Sequence, residues 1–258
     1  VVLVKHVPDG GPRFGADLLV DRDGDGLLSE PDEVALAAAR RLADAWVGPA
    51  PEVVALTMGP PEAVATLRRA VQLGADRAVH VRDAALRGSD ATATARVLAA
   101  ATTLLGPVDA VLAGTGSEDA FTGLVPALVA AELDLPYLSH VRTLALGADV
   151  VVAERDEESV TTLEADLPAV VSLTDRAERP AYPTFARLAA SRRAAVETLD
   201  LADLGLDPAT VGSAGSRARV TSAVPVPRAR SGGGRVVVDS DGDAGAELAA
   251  FLLERVAR

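Results

Sequence analysis

The residues best placed to do chemistry form one run, Gly114-Thr115-Gly116-Ser117-Glu118-Asp119-Ala120-Phe121-Thr122-Gly123. It follows the apolar stretch Ala110 to Ala113 and precedes Leu124 to Leu133, which reads as a helix. Backbone N–H groups at such a strand-to-helix turn lack intrahelical partners, and the helix dipole adds partial positive charge, so an anion is the natural occupant. Glycines and small hydroxyl residues let ligand oxygens approach the backbone. Glu118 and Asp119 argue the other way, and both readings, a phosphate loop and a plain turn, stand on these residues alone.

Other chemistry finds less support. Asp21, Asp23, Asp25, Gly26 and Asp32 have the spacing of an EF-hand calcium loop. No helix precedes Asp21, and Pro31 sits inside the would-be loop, so an acidic turn without specific ion binding is expected. Asp239, Asp241 and Asp243 repeat the theme with Ala244 where glycine is needed. His6, His80 and His140 are too far apart for a local ligand pair and are expected to be structural, with only His6 at a strand end that could meet a ligand. No metal site, nucleophile elbow, P-loop or acid–base constellation is recognised, and hydrolytic catalysis is not expected. Ser231 to Gly234 reads as a linker.

The elements that must position the loop alternate. Val1 to Val7 is strand-like and is broken by Pro8-Asp9-Gly10-Gly11. A short strand is expected at Leu18 to Val20. A helix capped by Ser29 is expected over Pro31 to Trp46, with Val34, Ala38, Leu42 and Ala45 on one face. Strands at 52–57, 77–81 and 108–113 alternate with helices at 61–73, closed by Gly74, and 90–105, capped by Ser89. This order predicts an α/β fold with a mainly parallel, doubly wound sheet, which binds nucleotides at the carboxyl ends of its strands. Four β-rich stretches between 136 and 175 predict an antiparallel extension. Residues 176–195 form an irregular segment and then a helix. From 201 a C-terminal arm is expected: 212–235 reads as extended or mobile, and an amphipathic helix from 247 to 258, with Leu248, Phe251, Leu252 and Val256 on one face, should lie on a partner subunit.

Composition narrows the classes. The chain has 258 residues and a net charge of −12, with an isoelectric point near 4.7, and no basic cluster interleaved with aromatics, so nucleic acid is not an expected partner. Cysteine is absent, which removes disulfides and thiol chemistry and accords with a cytoplasmic location. Without a membrane-length apolar run or a leader, a soluble protein is expected. The chain opens on Val, so a start residue is expected to be missing. Of 25 Lys and Arg residues only Lys5 is a lysine, and this reads as coding bias. Aromatics make up 3% of the chain, too few to stack a flavin ring well on its own side chains.

Several stretches together resemble the β subunit of electron-transfer flavoprotein (ETF). They are Val1 to Pro8 (VVLVKHVP), Asp32 to Leu42, Met58-Gly59-Pro60, Leu73 to Val81 (LGADRAVHV), the 114–123 loop and Leu167 to Leu173 (LPAVVSL). Order and spacing agree over about residues 1 to 200. The resemblance implies a heterodimer with an ETF α subunit that carries the redox-active FAD, while the β subunit keeps AMP in a structural role; in electron-bifurcating relatives a second FAD takes that place. It puts nucleotide contacts on Leu3, Asp32 and Met58, and on Gly114, Thr115, Gly116, Ser117, Glu118, Asp119, Ala120, Phe121, Thr122 and Gly123. Thr122 and Gly123 are expected to meet the phosphate, Leu3 and Met58 to flank the adenine, and Glu118 and Asp119 to point away. The Ser-x-Asp form of the loop (Ser117, Asp119) leaves AMP and β-bound FAD both open.

The resemblance further implies a docking segment for flavin dehydrogenases at 180–193, with Phe185 as apolar anchor and Tyr182, Arg187, Arg192 and Arg193 around it; residue type alone also allows Phe185 to be core. The implied function is electron transfer from flavin dehydrogenases, expected to be the acyl-CoA dehydrogenases of fatty acid oxidation, towards a quinone oxidoreductase, by a non-catalytic subunit. Two alternatives are a bifurcating subunit with its own FAD that uses NADH, and a free-standing adenine-nucleotide sensor.

Overall fold

A computed structural model describes residues 1–49, 51–147, 150–156, 158–224, 238–239 and 241–256. The chain falls into two units, Val1–Thr221 and Ser222–Arg258. In chain order the first unit has β1 (Val2–Leu3), β2 (His6–Pro8), β3 (Gly26–Leu28), α1 (Glu30–Ala45), β4 (Val54–Met58), α2 (Ala63–Leu73), β5 (Arg77–Val81), α3 (Ala91–Leu104) and β6 (Ala110–Gly114). It continues with α4 (Val125–Leu133), β7 (Tyr137–Val141), β8 (Thr143–Leu146), β9 (Val150–Asp156), β10 (Val160–Asp166), β11 (Ala169–Leu173), α5 (Phe185–Arg193), β12 (Val196–Leu199) and the single turn α6 (Gly212–Gly215).

Seven strands form one sheet in the order β12-β5-β4-β1-β6-β11-β7, and every neighbouring pair is parallel. Helices cover both faces, as a parallel sheet buried on two sides requires. Leu36 and Leu67, from α1 and α2, pack in the core of one face; Val97 and Val129, from α3 and α4, pack in that of the other. After β1 the chain builds outward through β4 and β5, then returns to place β6 on the opposite side of β1. The β1–β6 boundary is therefore the switch point of this doubly wound sheet, where a crevice opens at the strand ends.

Several local expectations change. The apolar run Val1 to Val7 is two strands: β1 joins the parallel sheet, whereas β2 pairs antiparallel with β3. The break falls at Lys5, whose backbone N–H turns aside to the carboxylate of Asp32. Of Leu18 to Val20 only Val20 pairs, as an isolated bridge to Phe14. Helix α3 is capped by Asp90, which accepts from the Ala93 N–H at 2.9 Å, while Ser89 Oγ donates to Leu86 and accepts from Gly212.

The antiparallel extension is smaller than expected, comprising β8, β9 and β10. Both β7 and β11 belong to the parallel sheet; Ala169-Val170-Val171-Ser172-Leu173 is buried at every position, the mark of a strand covered on two faces. Strand β12 adds an unexpected edge beside β5. The packed unit also runs past residue 200 to Thr221. Leu201 and Val211 are buried, and Asp90 Oδ2 accepts from the Arg217 and Ala218 amides at 2.8 and 2.9 Å.

The second unit contains α7 (Ala244–Val256). Leu248, Phe251 and Leu252 on this helix are about half exposed. Residues 225–237, which include the second half of the 212–235 stretch from Pro225 on, and 257–258 lie outside the described residues. Among the described residues no helix is long and apolar enough to cross a membrane.

Candidate functional site

At the switch point one carboxylate joins three elements. Asp32, in the first turn of α1, is buried. Its Oδ2 accepts from the Lys5 N–H at 2.8 Å and its Oδ1 from the Gly114 N–H at 3.2 Å. The side chain thus laces the end of β1 to the end of β6 from the start of the helix above them. Burial pushes the Asp32 carboxyl up to about 7, against the downward pull of the two amides and of the Lys5 charge. Gly114 has to be glycine, because a Cβ there would lie 2.5 Å from Pro31 Cβ and 2.9 Å from Asp32 Oδ1.

The 114–123 loop is then fastened at two acidic residues. Asp119 Oδ1 accepts from Lys5 Nζ at 2.7 Å and from Ser117 Oγ at 2.8 Å, and Oδ2 accepts from Arg22 Nη2. The Asp119 side chain is 1% exposed. Burial alone would raise its carboxyl, but the Lys5 hydrogen bond and charge, with Arg22 and Ser117, hold it down at about 2. Glu118 reaches the start of α1, accepting from Ser29 Oγ and from the Glu30 N–H, both at 2.8 Å. Ser29 makes no side-chain cap of its own, so the capping anion of this helix comes from a residue 89 positions away. Glu118 and Asp119 also line a cleft of about 190 Å³ beside Val7, Pro8 and Leu27. Thr122 and Gly123 are not among its walls.

The far end of the loop is open. Thr122 is exposed, and no hydrogen bond involves its hydroxyl among the described residues. Gly123 has φ +62°, and an added Cβ would stand 3.1 Å from the Thr115 carbonyl oxygen, so a side chain is disfavoured on both counts. Helix α4 begins two residues later, with Leu124 at its cap and no side-chain hydrogen bond there. Phe121 is 71% exposed at φ +47°, beside Gly116.

The remaining expected contacts are spread more widely. Leu3 is buried, and Met58 packs partly buried against the same apolar cluster on the α3/α4 face. Asp32 and Gly114 meet at the switch point; Thr115 is tied through its N–H to the Leu173 carbonyl at 3.1 Å; Ala120 and Phe121 both donate backbone N–H to the Ser117 carbonyl. In the docking segment Tyr182 is 99% and Phe185 92% exposed, which removes the core reading of Phe185. Arg192 and Arg193 are exposed in the last turn of α5, and Arg187 is half-buried. His6 Nδ1 bonds Thr66 Oγ1 at 2.9 Å and His80 Nε2 bonds the Gly59 carbonyl at 3.0 Å. The calcium spacing dissolves: Asp32, its last position, is spent on backbone amides, and Asp21 accepts from the Asp23 N–H. No group of three or more metal-ligating side chains converges among the described residues.

Sequence reasoning missed Lys5, Arg22, Ser29 and Glu30 as supports of the loop. Their partners lie far along the chain, so no local pattern marks them; the one available signal was that Lys5 is the sole lysine.

Residues 17–204 match the family model described as electron transfer flavoprotein domain. A Mycobacterium leprae protein named electron transfer flavoprotein subunit beta is 35% identical over 260 residues, spanning 98% of this chain and 97% of its own. This chain belongs to the electron transfer flavoprotein β-subunit family. The subunit beta of Megasphaera elsdenii is 31% identical, spanning 94% of this chain and 93% of its own. A third relative, the caffeyl-CoA reductase-Etf complex subunit CarD of Acetobacterium woodii, is 28% identical, with 99% and 98% covered. Membership makes the chain an electron-transfer subunit whose partner is an α subunit and whose assembly involves flavin.

Proposed function

We propose that the chain is the β half of a heterodimeric electron carrier that takes electrons from flavin dehydrogenases, the acyl-CoA dehydrogenases first among them, and delivers them towards a quinone oxidoreductase. FAD resides mainly in the α subunit, and AMP is held here as a structural ligand at the switch point. One observation carries the ligand reading. The loop is clamped at Asp119 and Glu118, yet its Thr122–Gly123 end presents an unengaged hydroxyl and a side-chain-free backbone at the start of α4, which suits a phosphate. Asp119 is charge-paired with Lys5 and Arg22, and Glu118 is held at the start of α1 by Ser29 and Glu30 rather than at Thr122 and Gly123. Tyr182 and Phe185, exposed at the start of α5, suit the anchor role against a dehydrogenase.

A second reading, a β-bound FAD in an NADH-using bifurcating assembly, draws on the likeness to the caffeyl-CoA reductase-Etf subunit and on the Ser-x-Asp loop. Co-expression with the α subunit separates the readings. A yellow heterodimer releasing one FAD and one AMP supports the first; two FADs establish the second. A chain that neither binds the α subunit nor yields a flavin-bearing complex overturns both.

A further inference from the structure

Of the 25 Lys and Arg residues, the one lysine stands at the switch point. Arginine serves at every other cationic position, so coding bias alone would place arginine here too. The geometry shows what an ammonium does that a guanidinium does not. Lys5 Nζ donates to Ser117 Oγ at 3.0 Å and to Asp119 Oδ1 at 2.7 Å, and those two oxygens are themselves 2.8 Å apart. One compact ammonium nitrogen reaches both oxygens of so tight a triangle from a single point, whereas a guanidinium is planar, longer, and spreads its donors over three nitrogens. The opposite oxygen of the same carboxylate is already held by the Arg22 guanidinium, whose other nitrogen bonds the His6 carbonyl at 3.1 Å. The reach of the side chain is also fixed at its root, since the Lys5 N–H is bound to Asp32 at 2.8 Å.

We propose that Lys5 is the positioning residue of the nucleotide loop: with Arg22 it draws Asp119 into the interior, this sets the path of residues 117–123, and arginine cannot take its place. The proposal rests on the reading of Thr122 and Gly123 as the phosphate contact. Lys5 acts through Asp119 and Ser117. The reading of the single lysine as coding bias then holds for the arginines and fails for position 5.

The test uses the α–β heterodimer with Lys5→Arg, Lys5→Met and Lys5→Met/Asp119→Asn, and two readouts: adenine nucleotide retained after dialysis, and amide hydrogen exchange of residues 114–123. Lys5→Arg and Lys5→Met are expected to speed loop exchange at least tenfold and to lower nucleotide affinity by about as much, with flavin content and assembly kept. The double variant also takes the carboxylate from Arg22, and its loop is expected to exchange no more slowly than that of Lys5→Met. Wild-type exchange and retention in Lys5→Arg would overturn the proposal, as would a double variant with its exchange protection restored, since the loop path would then not depend on Asp119. A wild-type heterodimer without adenine nucleotide would overturn the nucleotide reading instead. Exchange in Lys5→Arg then decides the clamp by itself, unchanged rates refuting it and faster rates sustaining it.

Discussion

Replacing Asp32 by Asn is a perturbation whose sign changes with pH. Asp32 accepts from two backbone N–H groups, one on each oxygen; Asn offers one oxygen and one amino group, so one of the two amides is left facing a donor. Leaving a buried donor unpaired costs about 1–3 kcal/mol. Against this stands the cost of the carboxylate. Its folded pKa of about 7 lies above the ordinary aspartate value of 3.8, so the unfolded chain ionises first as pH rises, and wild-type stability falls from about pH 4 until pH passes 7. Between pH 5.5 and 8 that loss grows by about 2 kcal/mol, and the Asn variant is spared it. With roughly 2–4 °C per kcal/mol in a protein of this size, the melting temperature of the variant relative to wild type should rise by roughly 4–8 °C over that interval. Calorimetry of the two heterodimers at both pH values makes the comparison, and other titrating groups cancel in the difference. A variant deficit that is constant, or that deepens towards pH 8, would refute the account of Asp32 as a carboxyl raised by burial.

Three further outcomes are expected. Glu118→Ala removes the anion at the start of α1 together with hydrogen bonds from Ser29 and Glu30, and should cost about 1–2 kcal/mol, read as a lower melting temperature; Glu118→Gln, which keeps an acceptor, should recover part of it. Asp119 has a depressed folded pKa of about 2 against 3.8, so the stability it contributes is present above about pH 4 and is lost as pH falls towards 2; acid titration of Asp119→Asn should lack that component, and an identical acid profile would contradict the clamp. Phe185→Ala and Tyr182→Ala should slow electron uptake from a dehydrogenase at least tenfold without changing nucleotide or flavin content, as expected for exposed anchors; unchanged uptake would remove the docking segment from the account.

What the sequence made legible depended on how local the cause was. Helix α2 and strand β5 follow from periodicity and from Gly74, whose φ of +132° ends the helix. The parallel sheet follows from the alternation of elements. Strand β12 was missed because Val196-Glu197-Thr198-Leu199 is four residues long and half polar, and it pairs only because β5 offers a free edge. The split of the first strand at Lys5 was hidden in a continuous β-rich run, since its cause, Asp32, lies 27 residues on. The buried run Ala169 to Leu173 did carry the signal of a parallel strand, and its neighbours with period-two alternation masked it. At the site, loop and switch point were readable. The roles of Glu118 and Asp119 were not, because Ser29 and Lys5 stand 89 and 114 residues away from them.

The central claim is that the 114–123 loop holds an adenine nucleotide through Thr122 and Gly123. It is tested most directly by releasing and counting nucleotides from the wild-type heterodimer and from a Thr122→Val variant. The account predicts one adenine nucleotide on the β subunit in the wild type, and at least a tenfold loss of affinity for it in the variant, with α-subunit FAD retained. No such nucleotide in the wild type, or one bound equally well without the Thr122 hydroxyl, would contradict it.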